Sequence, residues 1–368
     1  MKKFGLGLIV LLLVIVLGVF VSRFISSDKT DTVVGAAGGG KENFLRDEDV
    51  NRILKEKYNL TVISEPWSNG LLIKNPLKYT DGDEEKTYDF AFFSDERFYE
   101  YYKSPAKEGE APRERATANG IALNTPIVIY SWDKVCDALI NEGIVTENGG
   151  VYYISDMQKL LSYITEGKTW ADIGLGEIYG KINITSPDPI TSSPGTTYYG
   201  LLASIMNNGY VDEDQVSSLS AQLREFYKYS GFMSNTPADI FDQYLRTGMG
   251  AKPMIVDYEK SMVEFANLNP EGYNQVKDRI RILYPSPTIW NSHCITAFSE
   301  LGQKYLDALS DPEIQQIAWK RYGFRTGLSG GNNLNDVLVN AIPESIDSVT
   351  QGLKKETYDG IIEILNNF

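Results

Sequence analysis

Short apolar runs alternate with amphipathic stretches along most of the chain. Runs of strand length occur at 61–63, 71–73, 88–93, 126–130, 181–185, 253–257 and 279–284. Stretches with helical spacing of apolar residues lie between most of them, at 42–58, 156–165, 194–208, 215–229 and 237–247. Because parallel strands need crossover connections, which are usually helices, this order predicts an α/β fold with parallel sheets.

The N-terminus carries a different pattern. Lys2 and Lys3 precede an uncharged run over 4–22, and its 19 residues are close to the ~20 that a helix needs to span a bilayer. We therefore expect 1–27 to be an N-terminal transmembrane helix or a cleaved export signal. The anchor is favoured because no small-residue cleavage site follows the run directly. Residues 28–40 are then a linker and the first strand, and the main domain lies outside the cell membrane or in the periplasm.

Composition narrows the functional classes. The 368 residues suffice for about two domains of ~150 residues. Lys and Arg number 35 against 49 Asp and Glu, a net charge of −14, which argues against a nucleic-acid partner. His293 is the one histidine, and Cys136 and Cys294 are the two cysteines, so multi-histidine zinc and four-cysteine metal sites are excluded. Whether the cysteines pair is left open, and we expect no cofactor and no bound metal.

Four strand-to-helix turns have polar residues that could bind a ligand. They lie at 38–42, 94–95, 186–197 and 256–260. In the third turn, Ser193 is predicted as the N-cap of a helix that starts with proline. Open α/β sheets bind ligands at such positions, and helix N-termini hold anions through free N–H groups. The alternative for each turn is an ordinary helix cap without a ligand. Hydrolase chemistry is disfavoured, because no G-x-S-x-G motif occurs and His293 lies on an apolar strand.

Three motifs resemble those of a known family. The first is a Trp-x-Asp segment at 168–173, and the second is an Asp-Pro followed by a Ser-x-Gly-Thr helix start at 186–196. The third is a closing signature at 301–307, 310–316 and 322–325. On these motifs the chain, over about 35–340, resembles the type 2 extracellular (periplasmic-type) solute-binding proteins. That family is related to the molybdate-, phosphate- and iron-binding proteins of ABC transporters.

The resemblance implies a two-lobed periplasmic-binding-protein-like fold with a cleft between the lobes. Lobe 1 would be discontinuous, over 33–125 and 290–368, and lobe 2 would cover 132–284. Strands near 125–131 and 285–298 would cross between them. The implied ligand-binding residues are Gly40, Lys41, Ser94, Asp95, Ser192, Ser193, Thr196, Thr197 and Tyr258.

The resemblance also implies a binding protein and not an enzyme. Such a protein would capture a small ligand, such as an oxyanion, between hinged lobes and deliver it to the permease of an ABC-type transporter. Iron is disfavoured, because His293 is far along the chain from the tyrosine pair at 198–199. No cleft arginine of the kind used by phosphate binders is identifiable. The alternative is a surface sensor or protein-interaction module that keeps the fold without transport, which the anchor and the extension at 332–368 favour.

Overall fold

The computed structural model describes residues 30–74, 77–104, 109, 113–230, 237–326 and 332–367. Its strands are β1 Asp31–Ala37, β2 Leu60–Pro66, β3 Lys78–Asp81, β4 Glu84–Thr87, β5 Phe90–Phe92, β6 Ala118–Trp132, β7 Val145–Asn148, β8 Val151–Ile154, β9 Met254–Tyr258, β10 Ile280–Pro285, β11 Thr288–Ala297 and β12 Val349–Thr350.

Helices lie between most of these strands. They are α1 Glu42–Leu45, α2 Glu48–Tyr58, α3 Asn69–Lys74, α4 Arg97–Lys103, α5 Asp133–Asn141, α6 Met157–Thr165, α7 Ser193–Met206, α8 Glu213–Val216, α9 Ser220–Tyr229, α10 Pro237–Thr247, α11 Lys260–Leu268, α12 Pro270–Val276, α13 Glu300–Ala308, α14 Pro312–Tyr322 and α15 Lys355–Asn366. Short 3₁₀ turns occur at Trp170–Ile173, Ser217–Leu219 and Leu334–Asp336.

Two long antiparallel strands connect the two halves of the sheet. The strand order is β2-β1-β5-β11-β6-β10-β8-β7, and β9 also pairs with β6. The first part of β6 pairs with β11, whereas its second part pairs with β9 and β10. We call the elements that pack around β1, β2 and β5 lobe 1, and those around β8, β9 and β10 lobe 2. The α/β prediction is thus confirmed, with β1 parallel to both neighbours and β6 antiparallel to its own.

Apolar burial separates the two lobes. Lobe 1 has two clusters, one on each side of its strands, which include Phe44 and Phe90 on one side and Phe93 and Tyr102 on the other. A larger cluster fills lobe 2. The buried residues of the C-terminal segment belong to this lobe 2 cluster: Val339, Ile342, Leu353, Tyr358, Ile361 and Leu365. The C-terminus therefore packs with the part of the chain predicted as lobe 2, although the predicted lobe 1 included it.

Several local predictions are wrong in type. Residues 71–73 were predicted as a strand but lie in helix α3. Residues 181–185 form only isolated bridges, from Lys181 to Thr169 and from Thr185 to Ile255. The helix predicted over 42–58 is divided in two, because the Asp47 side chain accepts bonds from two backbone N–H groups and starts α2 there.

The pairing of the cysteines and the membrane-spanning helix were two further questions raised by the sequence. Cys136 and Cys294 are both buried and both carry free thiols, the first in lobe 2 and the second in lobe 1. In the part of the chain that the structure describes, no helix is long and apolar enough to cross a membrane. The transmembrane helix predicted within 1–27 lies outside those residues.

A buried ion pair connects the lobes and the C-terminal segment. Arg325 follows α14 in lobe 1, and its Nε and Nη2 donate to Glu259 at the end of β9, at 2.7 and 2.9 Å. Glu259 also accepts a bond of 2.6 Å from the Tyr284 hydroxyl. The guanidinium donates further to the carbonyls of Pro343 and Glu344, at 2.7 and 3.1 Å. Because both charged groups are almost wholly buried, each depends on the other for its compensation.

We expect Arg325→Met to lower the free energy of unfolding by about 3–5 kcal/mol, because Glu259 would be left as a buried, uncompensated charge. Adding Glu259→Gln should restore part of that loss. Urea denaturation measures both, with Arg52→Met as the control. Arg52 pairs with Asp49 and Glu56 on an exposed face, where ion pairs contribute little to stability. Equal losses for Arg325→Met and Arg52→Met would contradict the role of the buried pair.

Candidate functional site

The loop after β1 places a lysine in the protein interior. Lys41 is 1% exposed, and its Nζ donates to the carbonyl of Gly38 at 2.7 Å, to that of Gly39 at 3.3 Å and to Ser94 Oγ at 3.2 Å. Burial lowers the pKa of Lys41 to about 7. Gly40 has φ = +86°, a conformation that glycine adopts at no steric cost. The loop thus holds a buried amine of adjustable charge.

The turn after β5 presents a carboxylate to lobe 2. Ser94 Oγ donates to the Gly39 carbonyl at 2.7 Å, which connects this turn to the first loop. Asp95 Oδ1 accepts a bond from the Arg97 backbone N–H at 3.0 Å. Its Oδ2 accepts a bond of 2.9 Å from Thr197 Oγ1 of lobe 2. Asp95 is therefore oriented by lobe 1 and bonded to lobe 2.

The start of α7 supplies the facing groups of lobe 2. Ser192 is the N-cap, and Ser193, predicted as the N-cap, is the first helical residue. The carbonyl and Oγ of Ser193 accept bonds from Arg97 Nη2, at 3.0 and 3.1 Å. Thr196 points away from lobe 1, because its Oγ1 donates to the carbonyls of Pro189 and Ser192 at 2.7 and 3.0 Å. Of the two threonines, only Thr197 thus faces lobe 1.

The end of β9 and strand β11 form the base of the site. Tyr258 is buried and hydrogen-bonded to Ser193, and burial raises its pKa well above the usual value. His293 lies beside it, with ring centroids 6.2 Å apart. Both ring nitrogens of His293 are buried and have no hydrogen-bond partner. Burial lowers the pKa of His293 well below its usual value, and the charges of Lys41 and Lys260 lower it further, so the imidazole is neutral.

These turns meet in one contact zone between the lobes, which we call the seam and define as 38–41, 94–97, 192–197 and 258 together with Asn291 and His293. All nine residues predicted from the sequence lie in the seam, although the Thr196 hydroxyl bonds within lobe 2. Their role in ligand binding remains a prediction. The walls of the predicted cleft touch, because hydrogen bonds join Arg97 to Ser193 and Asp95 to Thr197.

Three seam residues were missed by sequence reasoning. Arg97 lies two residues beyond Asp95, on what reads as an ordinary amphipathic helix, and its guanidinium lies between the two lobes, where it donates to Ser193. Asn291 accepts a bond from Thr197 at 3.3 Å and donates to the Ser94 carbonyl. His293 was predicted to be structural. The spacing of Asn291 and His293, two apart on one strand face, was the available signal.

The electrostatics of the seam favour a negative ligand. Lys41 and Arg97 contribute two basic groups, and Asp95 faces them at 3.6 Å from Arg97 Nη2. Arg97 Nη1 is buried and has no hydrogen-bond partner. A guanidinium N–H without a partner is an unused donor of the kind that carboxylates and oxyanions engage. Within the described residues, no group of three or more His, Cys, Asp or Glu residues is arranged to hold a metal ion.

Comparison with solved structures identifies the fold. The ferric binding protein from Campylobacter jejuni aligns with 13% identity over 91% of this chain and 96% of its own, with a TM-score of 0.53. The substrate-binding protein of an ABC transporter from Agrobacterium tumefaciens aligns with 16% identity over 93% of this chain and 95% of its own, with a TM-score of 0.50. A two-component system protein that mediates signal transduction aligns with 13% identity over 91% of this chain and 100% of its own, with a TM-score of 0.52. The chain therefore has the two-lobed periplasmic-binding-protein fold, as expected from the resemblance.

Sequence comparison adds no closer relationship. No protein-family model matches the chain, and no curated protein matches it. The structural alignments establish the shared fold. Identities of 13–16% leave the ligand open, because one fold hosts many functions.

We expect Lys41→Met to remove a pH dependence of stability. The pKa of Lys41 is about 7 in the folded protein and 10.5 in the unfolded chain. Between these pH values the unfolded state binds more protons, so the free energy of unfolding rises with pH by up to ~1.4 kcal/mol per unit. The variant lacks this contribution. Urea denaturation between pH 7 and about pH 8.5 measures the difference in slope between the two proteins.

The exposed Lys55 on α2 provides the control, because Lys55→Met should keep the slope of the wild-type protein. Parallel curves for the wild-type protein and Lys41→Met would show that Lys41 stays ionised in the folded protein.

Proposed function

We propose that this chain is a two-lobed binding protein that captures a small anion, such as an inorganic oxyanion or a small carboxylate, in the seam. The ligand would bind when the lobes separate and would be enclosed when they close. Arg97 and Lys41 would hold it from lobe 1, and Ser193 and Thr197 from lobe 2. We do not assign catalysis to these residues, and the proposed protein is not an enzyme.

The observation that carries the proposal is the arginine at the seam. Arg97 is 6% exposed, and its guanidinium lies against the start of α7, where helix N–H groups add positive potential. One of its terminal nitrogens has no partner. A buried donor without a partner costs free energy, and an anion between the lobes would remove that cost.

The strand topology supports hinged opening. β6 pairs with β11 in its first part and with β9 and β10 of lobe 2 in its second part, so β6 and β11 connect the lobes. Separation of the lobes would bend these two strands and break a small set of side-chain bonds, chiefly those from Arg97 to Ser193 and from Thr197 to Asp95. Hinge closure around a ligand is a common motion of two-domain proteins.

The cellular role is part of the proposal. The apolar run at 4–22 would hold the domain at the outer face of the cell membrane, or in the periplasm. The closed form would then deliver its ligand to a permease of an ABC-type transporter. This role is supported by the fold shared with an ABC-transporter substrate-binding protein and by the apolar sequence of the N-terminus.

A sensor or protein-interaction module is the second candidate. The seam favours it because the facing groups of the two lobes already bond to each other without a ligand. A thermal-shift screen against oxyanions, carboxylates, sugars and amino acids separates the two functions, because a specific ligand stabilises the folded protein by mass action. A stabilising anion supports capture, and no stabilisation by any class supports the interaction module.

We expect Arg97→Met to weaken binding of the anion identified by that screen by about 10- to 150-fold, the range for one charge-assisted hydrogen bond of ~1.5–3 kcal/mol. Isothermal titration calorimetry measures the affinity. Arg115→Met, at an exposed position before β6, should bind like the wild-type protein. Equal affinity of Arg97→Met and Arg115→Met would remove Arg97 from the site.

Two hydroxyl-bearing residues in the first turn of α7, Ser193 and Thr196, should behave differently. Ser193→Ala should weaken anion binding, because Ser193 faces lobe 1. Thr196→Val should lower the unfolding free energy by ~1 kcal/mol and leave the affinity unchanged, because its hydroxyl bonds within lobe 2. Calorimetric titration combined with urea denaturation tests this division, which a loss of affinity in Thr196→Val alone would reverse.

A further inference from the structure

The C-terminal segment follows a path from the hinge to the seam. The carbonyls of Pro343 and Glu344 accept bonds from Arg325. Further along the chain, β12 pairs in parallel with Thr288 and Ile289 at the start of β11. Helix α15 then packs against α7, α8 and α9 of lobe 2 and against α4 of lobe 1. One helix thus contacts both walls of the proposed site.

The attachment of α15 to lobe 2 is apolar and extensive. Ile361 and Leu365 are buried in the lobe 2 core. Arg224 Nε on α9 donates to the Ile364 carbonyl at 3.2 Å. Gly200 on α7 lies directly under Tyr358, where an added Cβ would come within 2.5 Å of the Tyr358 ring. Such a buried, close-packed contact keeps α15 on lobe 2 in any hinge motion.

The attachment of α15 to lobe 1 is polar, and it is partly exposed at Tyr101 and buried at Arg97. The Tyr101 hydroxyl on α4 donates to Asp359, and Lys355 Nζ lies 4.8 Å from the centroid of the Tyr101 ring. Lys355 also pairs with Asp359 at 2.8 Å. The Tyr358 ring covers Arg97, whose Cζ is 4.6 Å from the ring centroid. These contacts would break when α4 moves away from α7.

We propose that α15 is a strap that holds the two lobes closed. It stays on lobe 2 through its buried face, and it releases lobe 1 when the bonds of Tyr101 with Asp359 and Lys355 break. Tyr358 acts as a positioning residue, because its ring holds the Arg97 guanidinium toward Ser193 while the strap is engaged. The link to ligand entry rests on the proposed function, whereas the strap itself does not.

The difference in packing between the two ends gives the strap its direction of release. Breaking the lobe 2 contact would expose the buried apolar side chains of Ile361 and Leu365 to water, which is unfavourable. The lobe 1 contact consists of one side-chain hydrogen bond and two cation–π contacts, of which that of Lys355 with Tyr101 is partly exposed and that of Arg97 with Tyr358 is buried. Opening at the α4 end is therefore the less costly of the two.

The test measures the distance between the lobes in the full chain. Spin labels on Lys55→Cys in lobe 1 and Thr146→Cys in lobe 2 report it by pulsed electron paramagnetic resonance, since both positions are exposed and the two native thiols are buried. Tyr101→Phe combined with Asp359→Ala loosens the strap without touching the lobe 2 core. Glu356→Ala, on an exposed position of the same helix, is the matched control.

We expect the loosened variant to raise the ratio of open to closed lobes by roughly 2- to 12-fold, the factor that corresponds to one hydrogen bond, while Glu356→Ala keeps the wild-type distances. Gly200→Ala should act in the same direction, because it displaces Tyr358 from α7. Unchanged distances in both the loosened variant and Gly200→Ala would overturn the strap. Wider distances without any anion binding would support the strap and contradict the proposed function.

Discussion

The buried pair of Arg325 and Glu259 is the interaction on which the arrangement of the lobes depends. It joins the end of α14 in lobe 1 to the end of β9 in lobe 2, and its remaining donors hold the carbonyls of 343–344. A buried charge pair is stable only with nearly complete hydrogen bonding. Each partner here has several bonds, so a shift of α14, β9 or the C-terminal segment would leave a charge unsatisfied. The pair therefore fixes α14, β9 and the C-terminal segment relative to one another.

The seam uses the opposite device, because several of its polar groups are buried without full compensation. Burial lowers the pKa of Lys41 to about 7, although its Nζ donates three hydrogen bonds. His293 has no hydrogen-bond partner, and neither has one nitrogen of Arg97. Such groups reduce the stability of the closed lobes and are costly unless a partner is added. The fixed ion pair and the incompletely satisfied seam thus divide the interface into a rigid part and a part that gains from a ligand.

The turns of the site could be predicted from the sequence, whereas their partners could not. Ser94, Asp95 and Ser193 were found because strand ends and proline-containing helix starts have local signatures. Arg97 was missed, because an arginine on an amphipathic helix looks like any solvated charge until the tertiary structure buries it. The strand predicted at 181–185 failed, because strand pairing is decided by neighbours distant in the chain. The packing of 339–365 on lobe 2 had no local signal, since sequence order placed it with lobe 1.

The hydrogen bonds between the two lobes in the seam restrict which ligands could bind there, because a ligand would have to replace these bonds. Asp95 accepts from Thr197, and Ser193 accepts from Arg97, so an entering ligand must separate these pairs and leave each group bonded again. A ligand that satisfies Arg97 but leaves Thr197 or Asp95 buried and unpaired would lose ~1–3 kcal/mol for each orphaned group. Only molecules with open lobes could bind, so the apparent affinity would be lower than the affinity of the open state by the fraction of molecules that are open. On the proposed function, a seam that bonds to itself would select against poorly matched anions, and the proposed strap would lower the affinity of all anions alike.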